Sequence, residues 1–255
     1  MNKVFNFADN EDLLRKLADA ITKAVGVDTK FYRECNPDET HNAIILLRGD
    51  KINSNLRSMV ASDSVELKAI RRHSWEGRIL IDRVNKTIIT ICTKKTFDAI
   101  VKKANRDWPH YILTMAHITN SDIEPQMQNL FGKSEPRFSD ETYQKDYDDI
   151  MGGEVDPNDG YTYLVVLYEA KDCVVTHITC DLLAKDASIA EEYNLDKFLK
   201  PDFIELTSEV EEKSSTNPDV RSLVKVKATR QDIFDRTTSP SVIITTKKEE
   251  REGRA

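Results

Sequence analysis

Apolar positions after Asn10 fall at Leu13, Leu14, Leu17, Ala20, Ile21, Ala24 and Val25, the three-to-four spacing of a helix with one buried face. Asn10 suits its N-cap, Glu11 and Asp12 suit the positive end of the helix dipole, and Gly26 is the expected stop. After the polar connection Asn36-Pro37-Asp38-Glu39, the run Ala43-Ile44-Ile45-Leu46-Leu47 reads as a short buried strand ending at Gly49-Asp50, with the start of a helix as the alternative. Residues 65 to 72 alternate Val65, Leu67 and Ala69 against Glu66, Lys68 and Ile70. With Arg78-Ile79-Leu80-Ile81-Asp82, a turn at Val84-Asn85-Lys86 and the β-branched run Thr87 to Thr93, they predict a three-stranded antiparallel meander.

Thr96 can cap a helix carrying Phe97, Ile100, Val101 and Ala104, which must stop before Trp108-Pro109; His110 to Thr119 suits a second helix. Residues 134 to 160 change character, with nine acids, Gly152-Gly153 and Asp156-Pro157-Asn158-Asp159-Gly160, and read as a linker or mobile loop. Beyond it, 161 to 169 and 173 to 180 form a hairpin around Ala170-Lys171-Asp172, followed by an amphipathic segment at Leu195, Phe198 and Leu199. The predicted class is α+β: a small antiparallel sheet flanked by helices, with a second, smaller α/β part. Its expected organisation is a basic domain over 1–133, an acidic linker over 134–160, a C-terminal α/β part over 161–236 and a flexible tail over 237–255. In that tail, Val242-Ile243-Ile244 reads as an inert end, or as a strand that adds to a partner's sheet.

Composition narrows the class. The 255 residues contain no apolar run near the roughly 18 needed to span a bilayer, and Met1 to Phe7 show neither an apolar stretch nor a cleavage site, so cytoplasmic residence is expected. Cys35, Cys92, Cys173 and Cys180 form no Cys-x-x-Cys pair and read as reduced, mostly buried thiols. The net charge of −7 is uneven: residues 1–132 carry 20 Lys and Arg against 17 Asp and Glu, residues 133–255 carry 17 against 27. A mildly basic front is joined to an acidic back.

The sharpest chemical pattern is Glu66-Leu67-Lys68. On a strand Glu66 and Lys68 share a face, and with Asp50 at the end of the preceding apolar run two carboxylates could hold Mg²⁺ while Lys68 positions water. That pattern resembles the restriction-endonuclease-like superfamily and implies an Mg²⁺-dependent nuclease. The competing reading makes Glu66 and Lys68 the solvent face of an amphipathic strand, and it is preferred. Between Glu66 and Trp108, eleven Lys and Arg stand against five acids, with Trp75, Phe97 and Trp108 among them, a composition suited to gripping phosphates and stacking bases. His110 and His117 lie two helical turns apart, too far to chelate one metal alone; His41, His73 and His177 lack ligand-like neighbours. Residues 156–160 lack the ligand spacing of an EF-hand, and Walker A, Gly-x-Gly-x-x-Gly and Gly-x-Ser-x-Gly motifs are missing from the sequence. No cofactor is expected.

Asn55-Leu56-Arg57, Arg71-Arg72, Trp75-x-Gly77, Ile79-Leu80-Ile81-Asp82, the return strand to Cys92, Pro109-His110-Tyr111 and Asn120 form an ordered set of landmarks. Over residues 55–120 this set resembles an uncharacterised domain family of bacterial genomes and their prophages, and fainter similarity reaches 161–183. The resemblance implies that Trp75, Asp82, His110 and Tyr111 belong to one architectural signature, of which Glu66 and Lys68 are not part, and it implies no activity. The function expected is that of a non-enzymatic binding or regulatory protein of a bacterial or phage accessory system. It would act on a protein partner through Arg71, Arg72, Trp75, Arg78 and the acidic stretch from Asp146 to Glu154. The alternatives are the nuclease, with Asp50 and Glu66 as ligands and Lys68 as the catalytic lysine, and nucleic-acid binding without cleavage.

Overall fold

The computed structural model describes residues 5–37, 40, 42–72, 75–103, 106–124 and 137–199. The expectations for 200–236, for the tail 237–255 and for its segment 242–244 lie outside the described residues.

The first helix, α1 (Glu11–Lys23), buries Leu14, Leu17, Ala18, Ala20 and Ile21 as its periodicity requires. Gly26 does not end it. The chain stays helical through a π-turn at Ala24–Asp28 and continues as α2 (Thr29–Cys35), with the Thr29 hydroxyl donating to the Ala24 carbonyl at 2.8 Å. Gly26 keeps a helical backbone inside this π-turn, and a Cβ there would meet the Cys173 carbonyl oxygen only at an ordinary contact distance of 3.4 Å, so neither conformation nor space makes it a stop. The 43–47 run is likewise not a strand but the first turn of α3 (Ala43–Asn55). Of that run only Ile44 is buried, joined further on by Ile52 and Leu56, while Ile45 and Leu46 are 77% and 72% exposed. A short apolar run alone cannot separate a helix from a strand, and here the burial repeats only at helical distance.

The meander forms as β1 (Val65–Arg72), β2 (Trp75–Asp82) and β3 (Thr87–Thr93), with Val65 opposite Asp82 and Arg72 opposite Trp75. Asp82 sets its second turn, accepting from the backbone N–H groups of Val84 and Asn85, both at 3.0 Å. Then α4 (Lys94–Lys102) is capped by Thr93, whose hydroxyl accepts from the Thr96 N–H at 3.1 Å; Thr96, the expected cap, lies inside it. His110 opens α5 (Tyr111–Thr119), its Nδ1 accepting from the Ile112 N–H.

The expected linker contains α6 (Asp140–Met151), capped by Ser139 and closed by Gly152 at φ 57°. Tyr143, Asp146, Tyr147, Ile150 and Met151 are its buried stripe, at helical spacing. Its acids occupy the remaining faces, and an Asp and two Tyr at inward positions hide the amphipathic pattern. The hairpin follows as β4 (Thr162–Lys171) and β5 (Val174–Leu183), and β6 (Ile189–Asn194), which the pattern did not predict, pairs with β5.

All six strands form one sheet in the order β1 to β6, antiparallel except where β3 and β4 run parallel from Thr87 beside Thr162. The expected division at 134–160 is therefore absent. β4 to β6 continue the sheet of the meander, and α6 packs on α5. The fold is α+β, with α1, α3 and the π-turn Leu56–Val60 after it covering one sheet face through Leu17, Ile21, Ile52 and Leu56, and α4 to α6 covering the other through Phe97, Ile112 and Tyr147. Asn120, fully buried, donates to the carbonyls of Tyr163 and Leu183 and accepts from the Tyr163 N–H, each at 2.8 Å, binding α5 to the sheet centre.

Candidate interaction surface

Alternation along β1 and β2 decides which side chains can act together. On β1, Glu66, Lys68, Ile70 and Arg72 face α4 to α6, and on β2 Trp75, Gly77, Ile79 and Ile81 do so; Ile70, Ile79 and Ile81 lie in that core. Arg71, Glu76 and Arg78 project to the opposite face, which they share with Val65 and Leu80. The four residues predicted to bind are thus split. Arg72 and Trp75 lie on one side of the hairpin, Arg71 and Arg78 on the other.

Arg71 and Arg78 share Glu76, at 3.1 Å and 2.7 Å, and hold its carboxyl below the usual range, Arg78 by hydrogen bonding and Arg71 through its charge. Arg72 reaches Asp146 of α6, Nη2 standing 2.6 Å from each carboxylate oxygen. Asp146 is only 2% exposed, and it also accepts from the Trp108 indole N–H at 2.5 Å and from the Thr114 hydroxyl. A buried carboxylate stays ionised only when its oxygens are filled in this way. Arg72 donates again to the Pro109 carbonyl. Together these bonds fix β1, α6 and the 108–110 corner.

On this corner sit two tryptophans that are fixed and still reachable. Trp75 stacks on Tyr111 with centroids 5.4 Å apart and planes at 15°, and it is 43% exposed. It lies across Gly77, where a Cβ would overlap the six-membered ring. Trp108 is 41% exposed, held by Asp146, with the Lys145 ammonium 5.8 Å from the ring centre. His110, its ring 4.5 Å from that of Tyr111, is pushed down to about 4, first by burial and then by the charges of Arg106 and Arg72. It stays neutral at physiological pH.

The nuclease set is not assembled. Glu66 accepts from Arg83 at 2.8 Å, a bond that holds its carboxyl below the usual range, and Lys68 is paired with Glu154 at 2.5 Å. Asp50 is exposed on α3, which packs on the other sheet face, so Asp50 and Glu66 lie on opposite sides of the sheet. Among the described residues no group of three or more His, Cys, Asp or Glu is arranged to hold a metal ion.

A second feature went unseen in the sequence, a cleft of about 600 Å³ bounded by the end of α5, one face of α6, residues 153–158 and Lys185. Inside it, His117 Nε2 and Asp140 Oδ1 are 2.7 Å apart. The two residues are 23 positions apart in sequence, so only the packing of α5 against α6 reveals the pair.

The fold and this aromatic corner define an α+β protein whose landmark residues serve one architecture. Asn55, Asp82, His110 and Asn120 are bonded into the frame, and Trp75, Gly77 and Tyr111 form one stack. The chain belongs to a family of unknown function, DUF5986, whose model matches residues 7–239. No curated protein and no solved structure matches it. No helix among the described residues is long and apolar enough to cross a membrane.

Proposed function

We propose that this chain is a non-enzymatic binding protein of a bacterial or phage accessory system, and that it engages a protein partner through the Trp75–Trp108 corner. The observation that carries the reading is that both indoles are about four-tenths exposed yet immobilised, one by the Tyr111 stack and one by Asp146. Exposed Trp beside Arg is the composition of interface hot spots, and a side chain already fixed loses little entropy when a partner covers it. The catalytic alternative has no comparable support, because Glu66 and Lys68 are engaged in ion pairs and Asp50 is across the sheet. Of the contact region expected from the sequence, Arg72 and Trp75 are kept; Trp108, His110 and Lys145 of mid-α6 join them, and Arg71 and Arg78, on the other side of the hairpin, drop out.

The test is affinity capture from a bacterial lysate with the immobilised full chain beside Trp75→Ala. A protein enriched by the wild type and lost with the variant supports the reading. Equal capture by both, or no specific capture by the wild type, counts against it. Nuclease treatment of the lysate separates the nucleic-acid alternative, since capture that disappears with nuclease would indicate a nucleic acid.

A further inference from the structure

Four of the five most exposed large apolar side chains among the described residues lie together on the far side of the sheet from the tryptophan corner. Val27 of the first π-turn, Phe31 of α2, and Ile45 and Leu46 of α3 are each between 64% and 77% exposed. They belong to one surface. α2 packs on α3, and Asn55 at the end of α3 bonds to Lys23 and Asp28 at either end of the π-turn, so the helices lie side by side. Arg33 of α2 and Arg48 of α3 both reach the turn between β4 and β5, one at the Cys173 sulfur, 3.7 Å away, and the other at the Asp172 carbonyl. Two positions earlier on each helix, Phe31 and Leu46 project about 200° around from those arginines and so face outward together. Val27 lies one turn before Phe31, and Ile45 adjoins Leu46.

Gly49 gives this surface its second feature. It follows Ile45 by four residues and Leu46 by three, so it lies between them on the outward face of α3. It is exposed, and a Cβ there would meet no atom within 4 Å, so nothing within one chain calls for a glycine. Apart from proline, glycine is the poorest helix former, and almost any other residue here would strengthen α3. Its use is between helices, because the distance of closest approach is set by the side chains at the crossing.

From this geometry we infer that the α2–α3 face is the interface of a homodimer, in which the α3 helices of two copies cross at Gly49 and Ile45 and Leu46 of each pack against the other. The four side chains present roughly 400 Å² of apolar surface, most of the apolar share, about 65%, of the roughly 800 Å² that each subunit of a standard-size homodimer buries. Charge does not oppose the pairing, since Lys30, Glu34, Asp50 and Lys51, the charged residues of α2 and α3 besides the two arginines, are two of each sign. A two-fold axis through the crossing brings the same patch of both copies together, so association closes at two. Because α3 and Trp75 lie on opposite sides of the sheet, each subunit keeps its tryptophan corner free, and the dimer presents two of them.

The test is sedimentation equilibrium of the full chain from about 1 to 100 μM, repeated on Leu46→Glu and Gly49→Gln, with thermal unfolding of each variant to verify its fold. The wild type should fit a monomer–dimer equilibrium with a Kd of about 10 μM or tighter. Leu46→Glu puts a charge at the centre of the interface and should weaken pairing about tenfold or more. In Gly49→Gln the new side chain enters open space within one chain and favours the helix, so the melting temperature should hold or rise while pairing weakens about tenfold or more. A wild type that stays monomeric at about 100 μM, association that continues past the dimer, or wild-type pairing in either folded variant would overturn the inference.

Discussion

Arg72 of β1 and Asp146 of α6, 74 residues apart in sequence, meet with one guanidinium nitrogen 2.6 Å from both carboxylate oxygens, and this contact joins the hairpin to the stretch that reads as a linker in the sequence. Removing either partner leaves the other in a setting built for it. Arg72→Met is expected to destabilise the protein by about 3 kcal/mol in urea unfolding, because Asp146 stays buried with only Trp108 and Thr114 donating. Trp108→Phe, which deletes one charge-assisted bond, should cost about 2 kcal/mol.

Gly77→Ala separates stability from surface structure. The new methyl must displace the outer ring of Trp75, a half-exposed side chain able to swing into solvent, so the stability loss should not exceed about 1.5 kcal/mol, the scale of the stack itself. The near-ultraviolet circular dichroism of the Trp75–Tyr111 pair should collapse in this variant. Partner capture should fall with it.

Two buried groups make opposite contributions to the pH dependence of stability. Asp181 is fully buried on β5, and burial pushes its carboxyl up to about 7, so the fold holds a proton that the unfolded chain has lost; stability from this group falls as pH rises from about 4 to 7. His110 is pushed down to about 4, so the unfolded chain holds a proton that the fold rejects, and stability from this group rises between about 4 and 6.5. Each slope is at most about 1.4 kcal/mol per pH unit, and over the shared window they oppose each other. Chemical denaturation at pH 4.5, 6 and 8 should show a weak dependence in the wild type, a rising one in Asp181→Asn and a falling one in His110→Asn. Asp181→Asn should gain most over the wild type at pH 8.

Lys68→Ala removes the ion pair with the half-exposed Glu154 and the packing of a lysine stem that is only 14% exposed, and should cost about 1–2 kcal/mol. Plasmid incubated with Mg²⁺ and either protein should remain uncut. Metal-dependent cleavage that disappears in Lys68→Ala would restore the nuclease reading.

Much of the fold is legible in the sequence wherever burial follows a clean period. Leu14, Leu17 and Ile21 predict α1, and the β-branched run 87–93 and the return at Asp82 predict the meander. The misreadings have specific causes. Gly26 keeps a helical backbone inside a π-turn rather than ending the helix, Ile45 and Leu46 face outward in an apolar run, and α6 places Asp146 and two tyrosines where aliphatic residues would signal a helix. The corner was half visible, since Trp75, His110 and Tyr111 stand out as landmarks and Arg72 as a contact residue. What joins them is Asp146, whose role depends on a contact across 74 residues that no local pattern encodes. The cleft was invisible for the same reason, because His117 and Asp140 come together only when α5 and α6 pack.

Trp75 is not the most exposed apolar side chain: Val27, Phe31, Ile45 and Leu46 on the α2–α3 side are more exposed, but among the described residues none of them is fixed by an aromatic pair as Trp75 is by Tyr111. The most direct measurement is the affinity of the captured partner for three purified full-length proteins, the wild type, Trp75→Ala and Phe31→Ser. Trp75→Ala should weaken binding by about 30-fold or more, the scale of a hot spot, and Phe31→Ser should bind as the wild type does. Wild-type affinity in Trp75→Ala together with loss of binding in Phe31→Ser would contradict a partner surface at Trp75 and move it to the opposite face of the sheet.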